Sequence, residues 1–388
     1  LYYLATPPLL YGVIPRHLKA EGLNREGDGF RRIVVEKPFG YDLSSALELN
    51  RIYLDAFREE QIYRIDHFLG KETVQNILAL RFANSVFEPL WNRNYIDYVE
   101  ITAVENMGIG TRGGFYDGVG TLRDMVQNHL AQLLAVTAME PPAAFDASGF
   151  RNEVVKVYQS LTPLTGEDIR HSVVRGQYMA SEGRKGYREE EQVPALSRTE
   201  TYLAMRLELN NWRWGGVPFY IRTGKQMPTK VSEIVIHFKP APYSLFRCEG
   251  GSCPVPNRLV IRIQPNEGIV LRLGMKKPGE GFEVLPMDMD FSYAELGRLP
   301  TEDAYARLIE DCIAGDPTLF IRSDAVESGW RFFDPILKYW QDVPECPLYG
   351  YPAGSWGPLE ADSLVARQGA SWTNPCKNLT NTHLYCEL

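Results

Sequence analysis

Apolar positions fall into two styles along the chain. Over residues 30–40, FRRIVVEKPFG, a β-branched run predicts a buried strand that breaks at a Pro-Gly turn. DLSSALELNRIYLDAF then changes to helical spacing. Leu49, Tyr53 and Phe57 recur four apart, and Ser45 with Glu48 predicts a capping box. QIYRID predicts a short strand, and ETVQNILALRFANSVFEPLW a second helix that Pro89 ends. Strand and helix alternate through residues 1–65, the sign of a parallel sheet covered by helices.

Beyond that point the pattern shifts. YVEITAVE (98–105) predicts a strand, a glycine-rich loop follows, and TLRDMVQNHLAQLLAVTAME (121–140) predicts a helix. From Thr199 strands dominate: TETYLAMRLEL, VPFYIRTGK, SEIVIHFKP, RLVIRIQP and IVLRLGMK, with short turns that predict antiparallel pairing. Helices return at AYARLIEDCIA and SDAVESGWRFFDPILKYWQ. The expected fold class is α/β plus α+β: the tail of an α/β domain over 1–65, joined to a larger α+β domain over 66–388.

A length of 388 residues suits two domains, and the 44% hydrophobic and 23% charged composition is that of a globular chain. A formal charge of −8 argues against nucleic-acid binding but leaves room for one anionic small ligand held by local positive charge. No apolar run of about 18 residues is free of charge, so no membrane partner is expected. The start, LYYLATPPLL, has no initiator Met and no signal-peptide pattern, and reads as the interior of a longer protein. Cys248, Cys253, Cys312, Cys346, Cys376 and Cys386 are scattered, as reduced cytoplasmic thiols would be. Cys248 and Cys253 could pair or take a metal, but nothing nearby completes a zinc site, so no metal is expected. The triplet at Asn378 fits a glycosylation sequon without other secretory signs.

Chemistry gathers at the ends of elements. GIGTRG (108–113) spells a dinucleotide fingerprint, yet more glycines intervene before the helix, so a loop over a pocket is expected instead. Lys37 in EKPFG is either a lysine reaching solvent or an ammonium held at the carboxyl edge of a parallel sheet, where Pro38 could be cis. In RDMVQNH, α-helical spacing puts Asp124, Gln127 and Asn128 on one face and His129 roughly 140° round from Asp124. That leaves His129 as a core histidine or as a base. Lys225 and Lys230 in RTGKQMPTK could be plain surface charge. Taken with Asp66, His67, Lys71 and Glu105, the recurrence of cations, carboxylates and imidazoles suits a phosphorylated, hydroxyl-rich substrate.

These residues resemble a known family. DHFLGKE (66–72) resembles the D-H-Y-L-G-K-E signature of glucose-6-phosphate dehydrogenases. EKPFG, RGGFYD with RDMVQNH, NWRWGGVPFYIRTGK, VIRIQPNE and AGSWGPLEAD resemble that family in the same order. The resemblance implies the C-terminal remnant of a Rossmann-like coenzyme domain, then a substrate domain with a mostly antiparallel sheet flanked by helices. It implies oxidation of glucose 6-phosphate at C1 to the 1,5-lactone, the first oxidative step of the pentose phosphate pathway, with NADP as cofactor, in a cytoplasmic homo-oligomer. By resemblance His129 is the general base and Asp66 its partner. His67 and Lys71 take the phosphate. Glu105, Asp124, Lys225, Lys230 and Gln264 lie on the substrate side. Lys37 touches both sugar and nicotinamide, and Pro7 and Pro38 border the nicotinamide with it. Phe68 stands where the family commonly has Tyr, and the GxxGDLA phosphate loop is missing, so weak NADP binding by this chain alone is expected. An EKP-type dehydrogenase of unphosphorylated sugars and a non-catalytic sugar-phosphate binding fragment are the alternative readings.

Overall fold

Three short apolar runs, β1 (Tyr2–Leu4), β2 (Ile33–Val35) and β3 (Ile62–Arg64), pair in parallel in that order, with Tyr2 opposite Ile33 and Ile33 opposite Ile62. All three residues of β2 are buried, as a parallel strand covered on both faces requires. The computed structural model describes residues 1–243, 245–248, 255–279, 281–293, 303–366 and 369–375. Cys253, Cys376, Cys386 and Asn378 lie outside the described residues, as does the side chain of Cys248. Cys312 and Cys346 are buried free thiols.

The β1–β3 sheet belongs to a first compact unit built from Leu1–Leu78, Val119–Ile169 and Pro300–Cys346. Its helices include Val13–Ala20, Leu43–Ala56, Ala147–Gln159, Ala304–Ala314 and Ser323–Asp342. Trp330 is wholly buried and its indole N–H donates to the Phe39 carbonyl at 3.1 Å, tying the long helix to the EKPFG turn. Gly40 makes that turn possible: its φ is +82°, and a Cβ there would sit 2.8 Å from Ala46.

Two predicted helix ends move. The cap of Leu43–Ala56 is Asp42, whose Oδ1 accepts from the Ser45 N–H at 2.7 Å, while the Asp42 N–H donates to the Ser45 hydroxyl at 3.2 Å. Ser45 is thus the third helical residue rather than the cap, and Glu48 pairs with Arg51 at 2.8 Å. The next helix, Glu72–Phe82, stops well short of Pro89. Asn84 caps it by donating its amide to the carbonyls of Ala79 and Leu80 at 3.2 and 3.1 Å, the first of which also accepts the Ala83 N–H at 2.9 Å.

The second unit comprises Ala79–Gly118, Arg170–Leu299 and Pro347–Leu388. It carries β4 (Ile96–Val104), β5 (Val173–Met179), β6 (Tyr202–Glu208), β7 (Pro218–Gly224), β8 (Val231–Phe238), β9 (Arg247–Cys248), β10 (Arg258–Gln264), β11 (Gly268–Lys276), β12 (Glu283–Ser292) and β13 (Tyr349–Pro352). They form one sheet in the order β13-β5-β6-β7-β4-β8-β10-β11-β12-β9. Pairing is mostly antiparallel. The antiparallel pairing expected of consecutive strands fails at β7 and β8, because β4 lies between them, parallel to β7 and antiparallel to β8. Seven of its residues being buried suits β4 to a central place. No helix among the described residues is long and apolar enough to cross a membrane.

Candidate active site

The carboxyl ends of parallel strands gather groups that face a ligand. Pro7 follows β1 and opens a short turn, Pro8–Leu10. Lys37 and Pro38 follow β2, joined by a cis peptide bond. Asp66 and His67 follow β3, and Lys71 immediately precedes Glu72–Phe82. Gly70 lets the helix Ala304–Ala314 come close, since a Cβ would lie 2.5 Å from the Ala304 carbonyl. That approach lays the Tyr305 ring over His67, centroids 5.9 Å apart and 11° from parallel.

The helix carrying His129 is not an α-helix where it matters. Leu122–Leu130 is a wide π-helix that runs into the α-helix Ala131–Ala138. The Ala131 N–H reaches the Val126 carbonyl, five residues back. Residues five apart share a face in such a turn. His129 and Asp124, which α-helical spacing separates, therefore meet at one cation. Lys37 Nζ lies 2.7 Å from His129 Nε2, 3.0 Å from the Asp124 carbonyl and 3.4 Å from Asp124 Oδ1. Asn128 braces the widened turn, donating to the Arg123 carbonyl at 3.0 Å and accepting from the His129 N–H at 2.6 Å.

On its other side, His129 Nδ1 sits 2.5 Å from Asp66 Oδ1, and both residues are almost wholly buried. With Nδ1–H given to Asp66, the lone pair is left on Nε2. Asp66 Oδ1 also accepts the Phe68 N–H at 3.0 Å. Burial would push the Asp66 carboxyl up, but the His129 charge and hydrogen bond, with the Phe68 N–H and His67, together hold it below its ordinary value. Phe68 stacks on the His129 ring at 4.5 Å and 21°, and Lys71 Nζ lies 5.4 Å from the Phe68 centroid. The Phe68 ring thus packs flat against the imidazole.

Burial first, and then the His129 charge, lower the His67 imidazole from 6.5 to about 4, so it is neutral at pH 7. An unfolded histidine titrates near ~6.5. The stability from keeping His67 neutral is therefore complete above that value and lost as pH falls from 6.5 towards 4. In a thermal scan, His67→Gln should flatten the decline in Tm across that window. An equal decline in both proteins would show that His67 does not carry it.

Asp66, His67 and His129 present ligand atoms within 4.8 Å of one another, a set able to meet on a metal. The Lys37 ammonium already lies against the Nε2 lone pair, and a second cation there would meet its repulsion.

The remaining predicted residues lie in the second unit, at one end of its sheet. Glu105 follows β4, Lys225 follows β7, Lys230 precedes β8 and Gln264 ends β10; the register sets Val104 beside Gly224 and Val231, and Gln264 beside Ser232. Lys225 is buried, forms an ion pair with Glu105 and lies 5.4 Å from the Tyr116 centroid. Gln264 donates to the Ser232 hydroxyl at 3.0 Å, and Lys230 is exposed. Sequence reasoning missed Tyr305 and Glu36. Glu36 accepts from the Tyr3 hydroxyl and, at 3.5 Å, from Tyr305, fastening β1 and the helix Ala304–Ala314 to the end of β2. The only local signal was a carboxylate next to Lys37.

A parallel sheet with basic and imidazole groups at its carboxyl edge, joined in one chain to a broad mixed sheet, is the architecture of a nicotinamide-dependent dehydrogenase. The family model for the glucose-6-phosphate dehydrogenase NAD binding domain matches residues 1–76, and that for the glucose-6-phosphate dehydrogenase C-terminal domain matches 78–373. The chain belongs to the glucose-6-phosphate dehydrogenase family. It is 55% identical over 379 residues to glucose-6-phosphate 1-dehydrogenase of Aggregatibacter actinomycetemcomitans, covering 97% of this chain and 76% of that one. It is 50% identical to the Treponema pallidum enzyme of the same name, covering 100% and 76%. Among solved structures, a glucose-6-phosphate dehydrogenase in complex with its substrate glucose-6-phosphate superposes with a TM-score of 0.88 at 36% identity, covering 96% of this chain and 75% of that one. Glucose-6-phosphate 1-dehydrogenase from Mycobacterium avium gives 0.81 at 38% identity, covering 97% and 77%.

Proposed function

We propose that this protein oxidises D-glucose 6-phosphate at C1 to 6-phospho-D-glucono-1,5-lactone, with NADP as the hydride acceptor, as the first oxidative step of the pentose phosphate pathway. The observation that carries the reading is the buried His129–Asp66 pair, whose Nε2 is turned towards Lys37 beyond β2.

Hydride can leave C1 only as the C1 hydroxyl loses its proton, so a base must reach that oxygen. His129 Nε2 is that base, and Asp66 fixes the tautomer and stabilises the imidazolium. In the free site the Lys37 ammonium rests on the Nε2 lone pair; the substrate hydroxyl takes its place, and Lys37 turns to the sugar oxygen. His67 and Lys71 hold the phosphate, with neutral His67 donating an N–H. Asp124, Glu105, Lys225, Lys230 and Gln264 serve the sugar and its phosphate. The edge beyond β1 and β2 fits a nicotinamide: Pro7 is exposed, Pro38 is half-buried, neither offers an N–H, and Lys37 adds a partly exposed cation. When bound, the nicotinamide supplies the hydride acceptor. Absorbance at the reduced-nicotinamide band should rise when the purified full-length protein meets glucose 6-phosphate and NADP. No rise with either NADP or NAD would overturn the reading, and a rise with NAD alone would overturn the cofactor choice.

The coenzyme and substrate domains are proposed to meet near residues 65–66. A cytoplasmic homo-oligomer is proposed as well. Buried Cys312 and Cys346 remain free thiols, as a reducing compartment allows. Met287, Met289 and Phe291 alternate along one face of β12, at 50%, 64% and 38% exposure, beside Leu271 and Ile269 of β11. An apolar stripe of this kind favours burial against a second copy. Sedimentation at the monomer mass would contradict it.

A further inference from the structure

A small cavity of about 30 Å³ lies within the first unit, lined by Asp66, Arg64, Gln132 and Tyr158 together with Val35 and Ile321. Three of its lining residues each carry a polar atom buried without a hydrogen-bond partner in the protein: Asp66 Oδ2, Tyr158 Oη and Arg64 Nε. They differ in kind. Asp66 Oδ1 is occupied by His129 and by the Phe68 N–H, so Oδ2 is the free acceptor of an ionised group. Arg64 spends its terminal nitrogens on Glu59, Asn50 and the Ile321 carbonyl, leaving Nε as a free donor. Tyr158 is 4% exposed, on a buried face of the helix Ala147–Gln159. Burial, then the charge of Asp66, raise its phenol far above the ordinary value, so it stays protonated and can donate.

Leaving such atoms dry is costly, most of all for the carboxylate. A buried water needs roughly 10–15 Å³ of such a cavity, which this one exceeds, and typically makes about three hydrogen bonds. The volume and the two-donor, one-acceptor set agree with that requirement. We propose that the cavity is a structural water site that joins Tyr158 and Arg64 to Asp66 Oδ2, and that Tyr158 is thereby a positioning residue for the His129–Asp66 pair. The water donates to Oδ2 and accepts from Arg64 or Tyr158. With Oδ2 anchored, the carboxylate cannot swing, and Oδ1 stays on Nδ1.

The water site stands on geometry alone, whereas the positioning role rests on the dehydrogenase reading. Two readouts keep them apart. A crystal structure of the wild-type protein at a resolution that shows waters should place one at roughly 2.7–3.2 Å from both Asp66 Oδ2 and Tyr158 Oη. The same structure of Tyr158→Phe should show it lost or moved. A dry cavity, or a direct Tyr158–Asp66 bond, overturns the site. In turnover, Tyr158→Phe should lower kcat about 2- to 10-fold, the worth of one hydrogen bond, and leave KM for glucose 6-phosphate unchanged. Unaltered kcat, or a KM change of equal size, overturns the positioning role.

Discussion

Replacing His129 by Asn should lower kcat by about 10²–10⁴-fold, the usual worth of a general base, while KM for glucose 6-phosphate stays close to the wild-type value. The substitution is chosen for what it keeps. The Asn amide can still donate towards Asp66 Oδ1, so a carboxylate that is 2% exposed is not left unpaired. What disappears is the Nε2 lone pair, 2.7 Å from Lys37, and with it the only acceptor on that side chain basic enough to take the C1 proton. Fold and binding should therefore survive, and the melting temperature should show it. Steady-state kinetics separate the roles, because an interaction made only in the transition state lowers kcat and kcat/KM equally. If binding and turnover fall together, His129 holds the sugar rather than its proton.

Much of this site could be read from the sequence, but the pieces differ in why. The parallel sheet was legible because β2 is one uninterrupted β-branched run and the helix after it repeats Leu49, Tyr53 and Phe57. β12 was not: EVLPMDMDFS mixes Pro286 with two aspartates, poor strand formers that here find ion-pair partners, Asp288 with Arg272 directly opposite on β11 and Asp290 with Arg262 one strand further, on β10. The place of β4 between β7 and β8 is a non-local choice with no local signature. GIGTRG, from which a loop over a pocket is expected, instead forms a short turn, Gly110–Arg112, and the brief helix Gly113–Asp117. Gly113 is there for a near neighbour, since its Cβ would fall 2.0 Å from the Glu191 carbonyl. The sharpest loss was at RDMVQNH. The roughly 100° per residue of an α-helix sends His129 away from Asp124, and only the π-helical turn returns it. Sequence periodicity assumes one helix type, and functional helices break that assumption where a side chain must be re-aimed.

Lys71→Ala should raise KM for glucose 6-phosphate by about 10- to 100-fold with kcat within a few-fold of wild type, because a charge-assisted hydrogen bond contributes about 1.5–3 kcal/mol. Lys71 lies one residue before the helix Glu72–Phe82, and its ammonium sits over the Phe68 ring that stacks on the base. This places a cation on the ring that packs against His129. Its neighbour His67 is held neutral, with burial the largest cause, so it offers a hydrogen bond but no charge. In the proposed reading Lys71 supplies the positive charge for the phosphate, while Lys37 serves the sugar oxygen. The same logic makes the effect specific to the phosphorylated sugar: turnover of free glucose should be nearly indifferent to Lys71→Ala, and the preference for glucose 6-phosphate should shrink by the factor lost in KM. Raising the salt concentration should weaken the wild type more than the variant, since screening removes what the mutation has already removed. An unchanged KM for glucose 6-phosphate would take Lys71 out of the phosphate site, and an equal loss with glucose would assign it to the fold instead.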